Sequence, residues 1–250
     1  MAAGTTLIHT LEERTLTTWP ALQTIFYDGW VIRFAKGHTR RSNSVIPLYG
    51  SSIDLNEKLD YCAGLFRARS QRSVFKLTAA AQPAGLDSVL QQTGYAYEAE
   101  TSVQVADLNV LNFHNLEPGH ITAQPTSDWL EACIHLNEMS PERGTAFTGM
   151  LANMVPPAAY ATLRAGDEIA AAGLGVYTPG YVAVYDIVTH PAYRNRGLAR
   201  RLMLTLLHWG REQGAQQAFL QVVPENAPAM HLYERLGFQE VYRYWYRTRG

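Results

Sequence analysis

Arginine, asparagine and glycine residues cluster at one point of the sequence, where they could bind an anion. The run is Arg194-Asn195-Arg196-Gly197-Leu198-Ala199-Arg200, and it stands between a β-prone segment and an amphipathic helical pattern. The first-turn amides of a helix have no intrahelical partner, and the helix dipole favours negative charge there. Glycine lets the backbone approach a pyrophosphate closely, and each arginine contact contributes about 1.5–3 kcal/mol. The run predicts a site for a diphosphate-bearing ligand; a solvated basic helix start is the alternative.

Strands and helices on either side must position this run. The segment Ile169–Val188 is predicted as a β-hairpin, because Thr178-Pro179-Gly180 is a turn signal between two β-prone stretches. Apolar residues at a spacing of three to four predict an amphipathic helix over Gly197–Gln213, ended by Gly214. The remaining predictions are a strand over Ala218–Val223, a helix over Pro228–Leu236 and an aromatic-rich strand over Phe238–Arg247.

Two motifs in this order resemble the GNAT acetyltransferase superfamily. The first is Arg-x-x-Gly-x-Ala at the helix start, preceded by His190-Pro191 and Tyr193. The second comprises Asn226, Ala229, Leu232, Tyr233, Gly237 and Phe238. The resemblance covers the chain from Ile121 to Arg249. It implies an α/β fold with a mixed sheet and an enzyme that transfers an acetyl group from acetyl-CoA to a primary amine.

The resemblance also implies roles for the matching residues. The backbone of Ile187, Val188 and Thr189 would pair with the pantetheine arm of acetyl-CoA, and the amides of Asn195–Arg200 would hold its pyrophosphate. Asn226 would contact the pantetheine arm, although Pro224-Glu225-Asn226 also fits a plain turn. Tyr233 would protonate the departing CoA thiolate. The alternative for Tyr233 is a helix tyrosine packed against the sheet.

The general base is less well defined by the residues. Some members of the superfamily carry a glutamate five residues before the asparagine, but Gln221 stands there and cannot accept a proton. The remaining candidates are Asp186, Glu225 and His190. Asp186 lies in an apolar run, where burial without a partner would raise its pKa; a paired structural carboxylate is an equal alternative. For His190 the favoured interpretation is a role in shaping the turn with Pro191.

The lack of a clear general base restricts the class of amine that the site can accept. Deprotonating a lysine-like amine at pH 7 costs about 4.6 kcal/mol, whereas an α-amine costs about 1 kcal/mol. We therefore expect a weakly basic acceptor, such as an α-amino group or an amino sugar, selected by a loop over Glu138–Asn153. Direct attack in a ternary complex is favoured over an acyl-cysteine, because Cys62 and Cys133 lie outside the motifs. A non-catalytic acyl-CoA-binding sensor or scaffold is the alternative function.

The first half of the chain resembles the second more faintly. Val89–Tyr95 repeats the pattern of Leu232–Phe238, but no Arg-x-x-Gly-x-Ala occurs near Tyr49–Ser52. We predict two tandem copies of the fold, 1–112 degenerate and 113–250 catalytic, joined near Asn109–Gly119. The elements predicted in the first half are a hairpin over Gly29–Pro47, a helix over Leu55–Arg69 and strands over Ser73–Leu77 and Ala99–Val105.

The hairpin predicted over Gly29–Pro47 is unusually polar. Its residues Arg33, Arg40, Arg41 and Asn43 could line an acceptor site, since ligand clefts favour domain junctions. A surface hairpin with ordinary solvated charges is an equal alternative.

Composition argues against several other classes of protein. Lys and Arg total 21, Asp and Glu 22, so the net charge of −1 offers no field that would gather nucleic acid or an anionic membrane. Two cysteines provide neither a disulfide framework nor a metal site. The N-terminus lacks the pattern of a signal peptide, and no run approaches the length of a membrane-spanning helix. We expect a cytoplasmic protein without a metal.

The oligomeric state is left open by the sequence. The aromatic strand around Tyr242–Tyr246 could pair with a second subunit in a homodimer. It could equally be a covered edge within one subunit.

Overall fold

The computed structural model describes residues 2–250, which form seven helices and eleven strands. Up to the middle of the chain these are α1 (Ala2–Thr18), β1 (Gln23–Tyr27), β2 (Trp30–Phe34), β3 (Val45–Pro47), α2 (Leu55–Arg67), β4 (Ser73–Thr78), α3 (Leu86–Gln92) and β5 (Ala96–Asp107). The later elements are β6 (His120–Thr122), α4 (Ser127–Leu136), α5 (Pro141–Ala152), β7 (Ala158–Ala165), β8 (Glu168–Thr178), β9 (Tyr181–Thr189), α6 (Leu198–Glu212), β10 (Gln217–Val222), α7 (Ala227–Arg235) and β11 (Gln239–Arg249).

Two compact units divide these elements. The first unit holds the residues up to Ser102 together with Tyr242–Gly250, and the second holds Val103–Val241. Strand β5 therefore begins in the first unit and ends in the second, and β11 does the reverse. The domain boundaries at 1–112 and 113–250 remain a prediction.

The first unit is built on an antiparallel meander. Strands β1 and β2 are joined by Asp28 and Gly29, whose φ angles of 42° and 82° suit a two-residue hairpin turn. Strand β3 pairs antiparallel with β2 and parallel with β4, and β11 pairs antiparallel with β4. One face carries α2 and α3 on a core that includes Trp30, Phe66 and Phe75.

The predicted acceptor role of the polar hairpin is wrong for two of its residues. The Arg33 side chain is 1% exposed and donates to the carbonyls of Trp19 and Arg41. Asn43 is also buried. Its amide makes four hydrogen bonds with the backbone of its own loop, at Ala35, Gly37, His38 and Thr39. Both side chains use their polar groups to fix the loop. Because they are buried, the alternative of ordinary solvated charges does not describe them either.

The second unit contains a second meander. Strands β6 to β9 pair antiparallel in sequence order, and β10 pairs parallel with β9. Helix α6 packs on this sheet through glycines. A Cβ on Gly173 would approach Leu202 to 3.1 Å, one on Gly175 would approach Leu206 to 3.2 Å, and one on Gly210 would approach Val182 to 2.6 Å. The small residues let the helix that carries the predicted anion site lie close to the strands.

Two further expectations change. The predicted loop over Glu138–Asn153 is mostly helix α5, which begins at Pro141 with Ser140 as its N-cap. Strand β11 lies between β4 and β5 in the strand order, so it is not an edge and its predicted pairing with a second subunit is wrong.

No helix within residues 2–250 is long and apolar enough to cross a membrane.

Candidate active site

A cavity of about 760 Å³ in the second unit brings the two motifs together. Its walls include the end of β9, the start of α6, helix α7 and the last residues of α4. The predicted binding residues that line it are Ile187, Val188, Thr189, Arg194, Asn195, Gly197, Leu198, Ala199, Arg200, Asn226 and Tyr233. Arg196 and Asp186 are the two predicted site residues outside this lining.

The cavity opens because β9 and β10 separate. Their parallel pairing covers only Tyr181–Ala183 of β9 and Gln217–Phe219 of β10. Strand β9 continues to Thr189 and remains paired with β8 on its other side. The backbone of Ile187–Thr189 therefore has a side that β10 does not cover, where an extended ligand arm can pair as an added strand would.

A β-bulge sets the direction of this strand end. The β8–β9 register changes between Ala172 and Leu174, so Gly173 stands opposite both Asp186 and Ile187. Asp186 has a φ of 50°, in the left-handed region. A Cβ at Gly173 would lie 2.6 Å from the Ile187 side chain, which favours glycine there.

Trp129 holds the bulge from the α4 side. Its side chain is 1% exposed, and its indole Nε1–H donates to the Gly173 carbonyl at 3.3 Å. The ring also packs edge-on against Tyr160 and stacks with Phe147, with centroids 5.0 and 6.0 Å away. Trp129 therefore connects the first turn of α4 to the point where β9 bends.

The start of α6 is open to an anion. Asn195 and Gly197 have φ angles of 61° and 77°, and no side chain caps the helix. A Cβ on Gly197 would meet no atom within 4 Å, so the protein leaves open space beside this N-cap residue. Arg194 donates from Nε to the Thr189 carbonyl at 3.4 Å, and Arg200 lines the cavity. Unobstructed amides beside arginines suit a diphosphate.

Arg196 does not line the cavity but packs against Tyr193 in the loop before α6. Its guanidinium lies 5.4 Å from the centroid of the Tyr193 ring, and the Tyr193 hydroxyl donates to Glu168 at 2.7 Å. We infer that Arg196 supports the loop through Tyr193, which itself lines the cavity.

Helix α7 supplies the asparagine and the phenol. Asn226 is its N-cap, and its Oδ1 accepts from the Ala229 amide at 3.2 Å. Tyr233 packs beside Phe238, with ring centroids 5.9 Å apart, and burial raises the pKa of Tyr233 to about 12. Tyr233 lines the cavity, which a ligand can enter. The phenol therefore stays protonated throughout the neutral range.

Among residues 2–250, no carboxylate lines the cavity. Asp186 lies beside Cys133: burial and the Asp186 charge both raise the pKa of the Cys133 thiol. His190 accepts from the Ala192 amide at Nδ1, and its Nε2 lies 3.6 Å from Glu168. The Nδ1 contact with Ala192 agrees with the favoured interpretation of His190 as a turn-shaping residue, whereas Nε2 faces Glu168 at the start of β8. Glu225 is exposed in the turn before Asn226.

Several lining residues were not predicted. Asn137 ends α4 and donates from its amide to the Cys133 carbonyl at 3.0 Å, and Leu136 precedes it. His231 and Arg235 come from α7. Their i, i+4 spacing was a readable sign that they share a helix face, whereas nothing in the sequence brings the end of α4 to this cavity.

These features together define an acetyltransferase of the GNAT class, with its mixed α/β fold. The chain belongs to the family described as "Probable histone acetyltransferase Rv0428c C-terminal", whose model matches residues 5–247. That match is continuous across both compact units.

Three similar proteins illustrate the relationship. The uncharacterized N-acetyltransferase YobR of Bacillus subtilis is 27% identical over 247 residues, which are 97% of this chain and 98% of that protein. N-alpha-acetyltransferase RimI of Mycobacterium tuberculosis is 35% identical over 127 residues, 48% of this chain and 77% of that protein. A GCN5-related N-acetyltransferase from Kribbella flavida has the same fold, with a TM-score of 0.68 at 15% identity and coverage of 96% and 94%.

Proposed function

We propose that the protein transfers an acetyl group from acetyl-CoA to a primary amine by direct attack in a ternary complex. The supporting observation is that one cavity is lined by the uncovered backbone of Ile187–Thr189, the open start of α6 and the phenol of Tyr233. The strand edge would hold the pantetheine arm, the amides of Asn195–Arg200 the pyrophosphate, and Asn226 the middle of the arm. When bound, acetyl-CoA supplies the activated acyl group.

Tyr233 is the proposed proton donor. Its pKa of about 12 keeps the phenol protonated until the thiolate departs. Desolvation in the same cavity would also raise the pKa of the thiolate, which brings the proton affinities of the two groups closer together.

The acceptor we propose is a weakly basic amine, in particular an α-amino group. The cavity wall carries no carboxylate, so deprotonation depends on water or on a residue behind the wall. Asp186 and Glu225 each adjoin a lining residue in sequence, and we retain Asp186 as the proposed acceptor of the proton through water. The similarity to an N-alpha-acetyltransferase favours the same class of acceptor.

Two further parts of the proposal concern the whole chain. We propose that the first unit is a degenerate copy of the second, because both contain three antiparallel strands, a helix, a parallel strand and a second helix in that order. A cytoplasmic location and the absence of a nucleic-acid partner also remain predictions.

Calorimetric titration with acetyl-CoA tests the donor site. The native protein should bind at one site per chain, and Gly197→Glu should abolish binding, because its carboxylate would occupy the place of the pyrophosphate. Gly180→Glu is a matched control: Gly180 also has a positive φ, of 82°, with no atom within 4 Å of an added Cβ, but it lies in the β8–β9 turn outside the cavity lining. Absence of native binding would overturn the proposal.

Turnover of matched amines tests the acceptor. Acceptors that carry an α-amine should be acetylated faster than otherwise identical acceptors that carry an ε-amine. Faster turnover of the ε-amine would overturn the weak-base argument. Binding without turnover of any amine would favour the acyl-CoA sensor instead. Comparing Asp186→Asn with Glu225→Gln identifies the proton acceptor by the larger loss of kcat.

A further inference from the structure

Strand β1 forms an outer edge of the sheet in the first unit. It pairs with β2 from Gln23↔Phe34 to Tyr27↔Trp30, and it stands first in the strand order. Within residues 2–250, no strand pairs with its other side. An edge of this kind presents backbone N–H and C=O groups that another strand can bind.

The outward backbone groups belong to Thr24 and Phe26. Opposite Thr24, the Arg33 amide donates to the Ser44 carbonyl at 3.0 Å, on the β3 side of β2. Thr24 and Arg33 are therefore a non-hydrogen-bonded pair, and the backbone groups of Thr24 point to the open side. Bonded and non-bonded pairs alternate along an antiparallel ladder, so the backbone of Phe26 points to the open side as well.

Strand β1 itself lacks the charges, proline and bulges that normally prevent strand pairing: Gln23–Tyr27 contains no charge and no proline, and it pairs with β2 without a bulge. Arg69, outside the strand, donates to the Gln23 side chain at 3.5 Å. The Phe26 side chain is 80% exposed. Strand β6, which ends the sheet of the second unit, has only three residues and is a much poorer template.

We propose that β1 pairs antiparallel with β1 of a second copy of the chain, about a two-fold axis at Ile25. Thr24 of each copy would then face Phe26 of the other and exchange two backbone hydrogen bonds with it. Ile25 would face itself, and Gln23 would face Tyr27. The two Phe26 rings would be diagonal neighbours on one face, at about 7–8 Å and within reach of each other.

A second copy fits this edge for a reason of symmetry. An isologous contact places each residue near its own equivalent, so a charged strand would bring like charges together. The uncharged segment Gln23–Tyr27 avoids that repulsion and leaves its outward groups in a self-complementary register. A contact of five residues is smaller than the standard interface of about 1,200–2,000 Å², so the dimer should be weak and depend on concentration.

Sedimentation velocity tests the proposal with a pair of opposite charges. Native protein should shift from monomer to dimer as its concentration rises from micromolar to millimolar. Phe26→Lys and Phe26→Glu should each remain monomeric, because two like charges would meet across the axis. An equal mixture of the two variants should dimerise again, because the charges are then opposite.

Val155→Lys is the matched control, since Val155 is 91% exposed and lies in the second unit. It should dimerise like the native protein, and melting curves should show that all variants are folded. A native protein that stays monomeric, or single variants that dimerise as it does, would overturn the proposal. Failure of the mixture to dimerise would overturn the proposed register.

Discussion

Helices α2 and α6 begin in similar surroundings but satisfy their first turns differently. Each follows at least three antiparallel strands, which end with β3 or β9, and precedes a strand parallel to the last of them. At α2, Asp54 is the N-cap, and its carboxylate accepts from the Asn56 and Glu57 amides at 2.9 and 3.3 Å. In the loop before the helix, the amides of Ser52 and Ile53 donate to the carboxylate of Asp28, at 2.9 Å. At α6, no side chain caps the first turn, and a Cβ added to its N-cap Gly197 would meet no atom within 4 Å. A carboxylate from the chain closes one helix start, and the other is left for an anion from outside.

The lowered pKa of Asp28 shows that the loop before α2 already holds a negative charge. The Ile53 amide, helped by Ser52 and Lys58, holds the pKa of the Asp28 carboxyl well below its usual range. Lys58 is fully buried, and its ammonium lies 4.1 Å from the centroid of the Trp30 ring. The Asp28 carboxylate in the loop before α2 is therefore a permanent part of the first unit.

The two regions differ at two other points. Strand β3 pairs with β2 in a regular register, whereas β9 is bulged at Asp186. In the pattern shared by Val89–Tyr95 and Leu232–Phe238, buried Leu90 occupies the place of Tyr233. A shared arrangement of strands and helices is therefore not enough to form a ligand-binding site. An open helix start, a redirected strand and a polar group are each added by single residues.

The largest effect is expected from Tyr233→Phe, which gives the second unit an apolar residue where the first has leucine. Loss of the proton donor should lower kcat about 100-fold or more, with little change in acetyl-CoA affinity. Tyr177→Phe, on a tyrosine packed against the same core, is the control. Steady-state kinetics would contradict the role if kcat stayed within twofold of the native value.

The pH profile of the native enzyme sharpens the same point. A raised pKa means that the proton is retained at alkaline pH and lost only as pH passes about 12. Tyr233 should therefore produce no alkaline decline in kcat below about pH 11.

A smaller effect is expected from Trp129→Phe, which tests the bulge that the first meander lacks. The variant removes the indole donor to Gly173 and should lower kcat about 10-fold, equivalent to about 1.4 kcal/mol. Amide hydrogen exchange without ligand should become faster at Ile187–Thr189. Trp209→Phe is the matched control in α6. Unchanged exchange at β9 would show that the indole does not hold the bulge.

Substitution of Asn226 should have a smaller effect on acetyl-CoA binding and activity. Two variants separate its role as a helix cap from its role as a ligand contact. Asn226→Ala removes the N-cap of α7, which costs about 1 kcal/mol and should weaken acetyl-CoA binding about fivefold. Asn226→Asp keeps the capping oxygen but loses the amide. If the amide contacts the ligand, calorimetry should find both variants weakened; full recovery with aspartate would leave Asn226 a capping residue only.

The smallest effect on activity is expected from Asp28→Asn, which removes the negative charge from the loop before α2. Because the folded pKa is lowered, the carboxylate stabilises the fold above its unfolded pKa of about 3.9, and this contribution is lost as pH falls through the folded value. The melting temperature of the variant should lie below native at about pH 7, and the difference should narrow as pH falls below about 3.9. Acetyl-CoA should still bind at one site per chain. Binding at a second site would mean that the Asp28 charge alone keeps acetyl-CoA out of the first unit.

Periodicity and turn chemistry predicted much of this structure. The hairpin over Ile169–Val188 is confirmed as β8 and β9, and the helix over Gly197–Gln213 as α6. Local signals such as Gly180 and the apolar repeat of α6 suffice for these elements. The motif spacing also selected residues that share one cavity, except Arg196 and Asp186.

Features that depend on tertiary structure were not predictable. The bulge at Asp186 arises from the register between two strands, which no local pattern records. Helix α1 was missed because its buried positions mix Leu11 with Glu12 and Thr15. Helix α5 has clear start signals at Ser140, but Gly144 and two threonines interrupt its apolar repeat.

The pairing of β11 with β4 has a consequence for the order of folding. Tyr244↔Thr78 and Arg249↔Ser73 join segments that are far apart in the sequence. During synthesis, the first unit must therefore wait for a strand made much later before its sheet is complete. Contacts of such long sequence separation slow folding. A fragment that stops at residue 112 would lack this strand, and we expect it to expose the unpaired edge of β4 to aggregation.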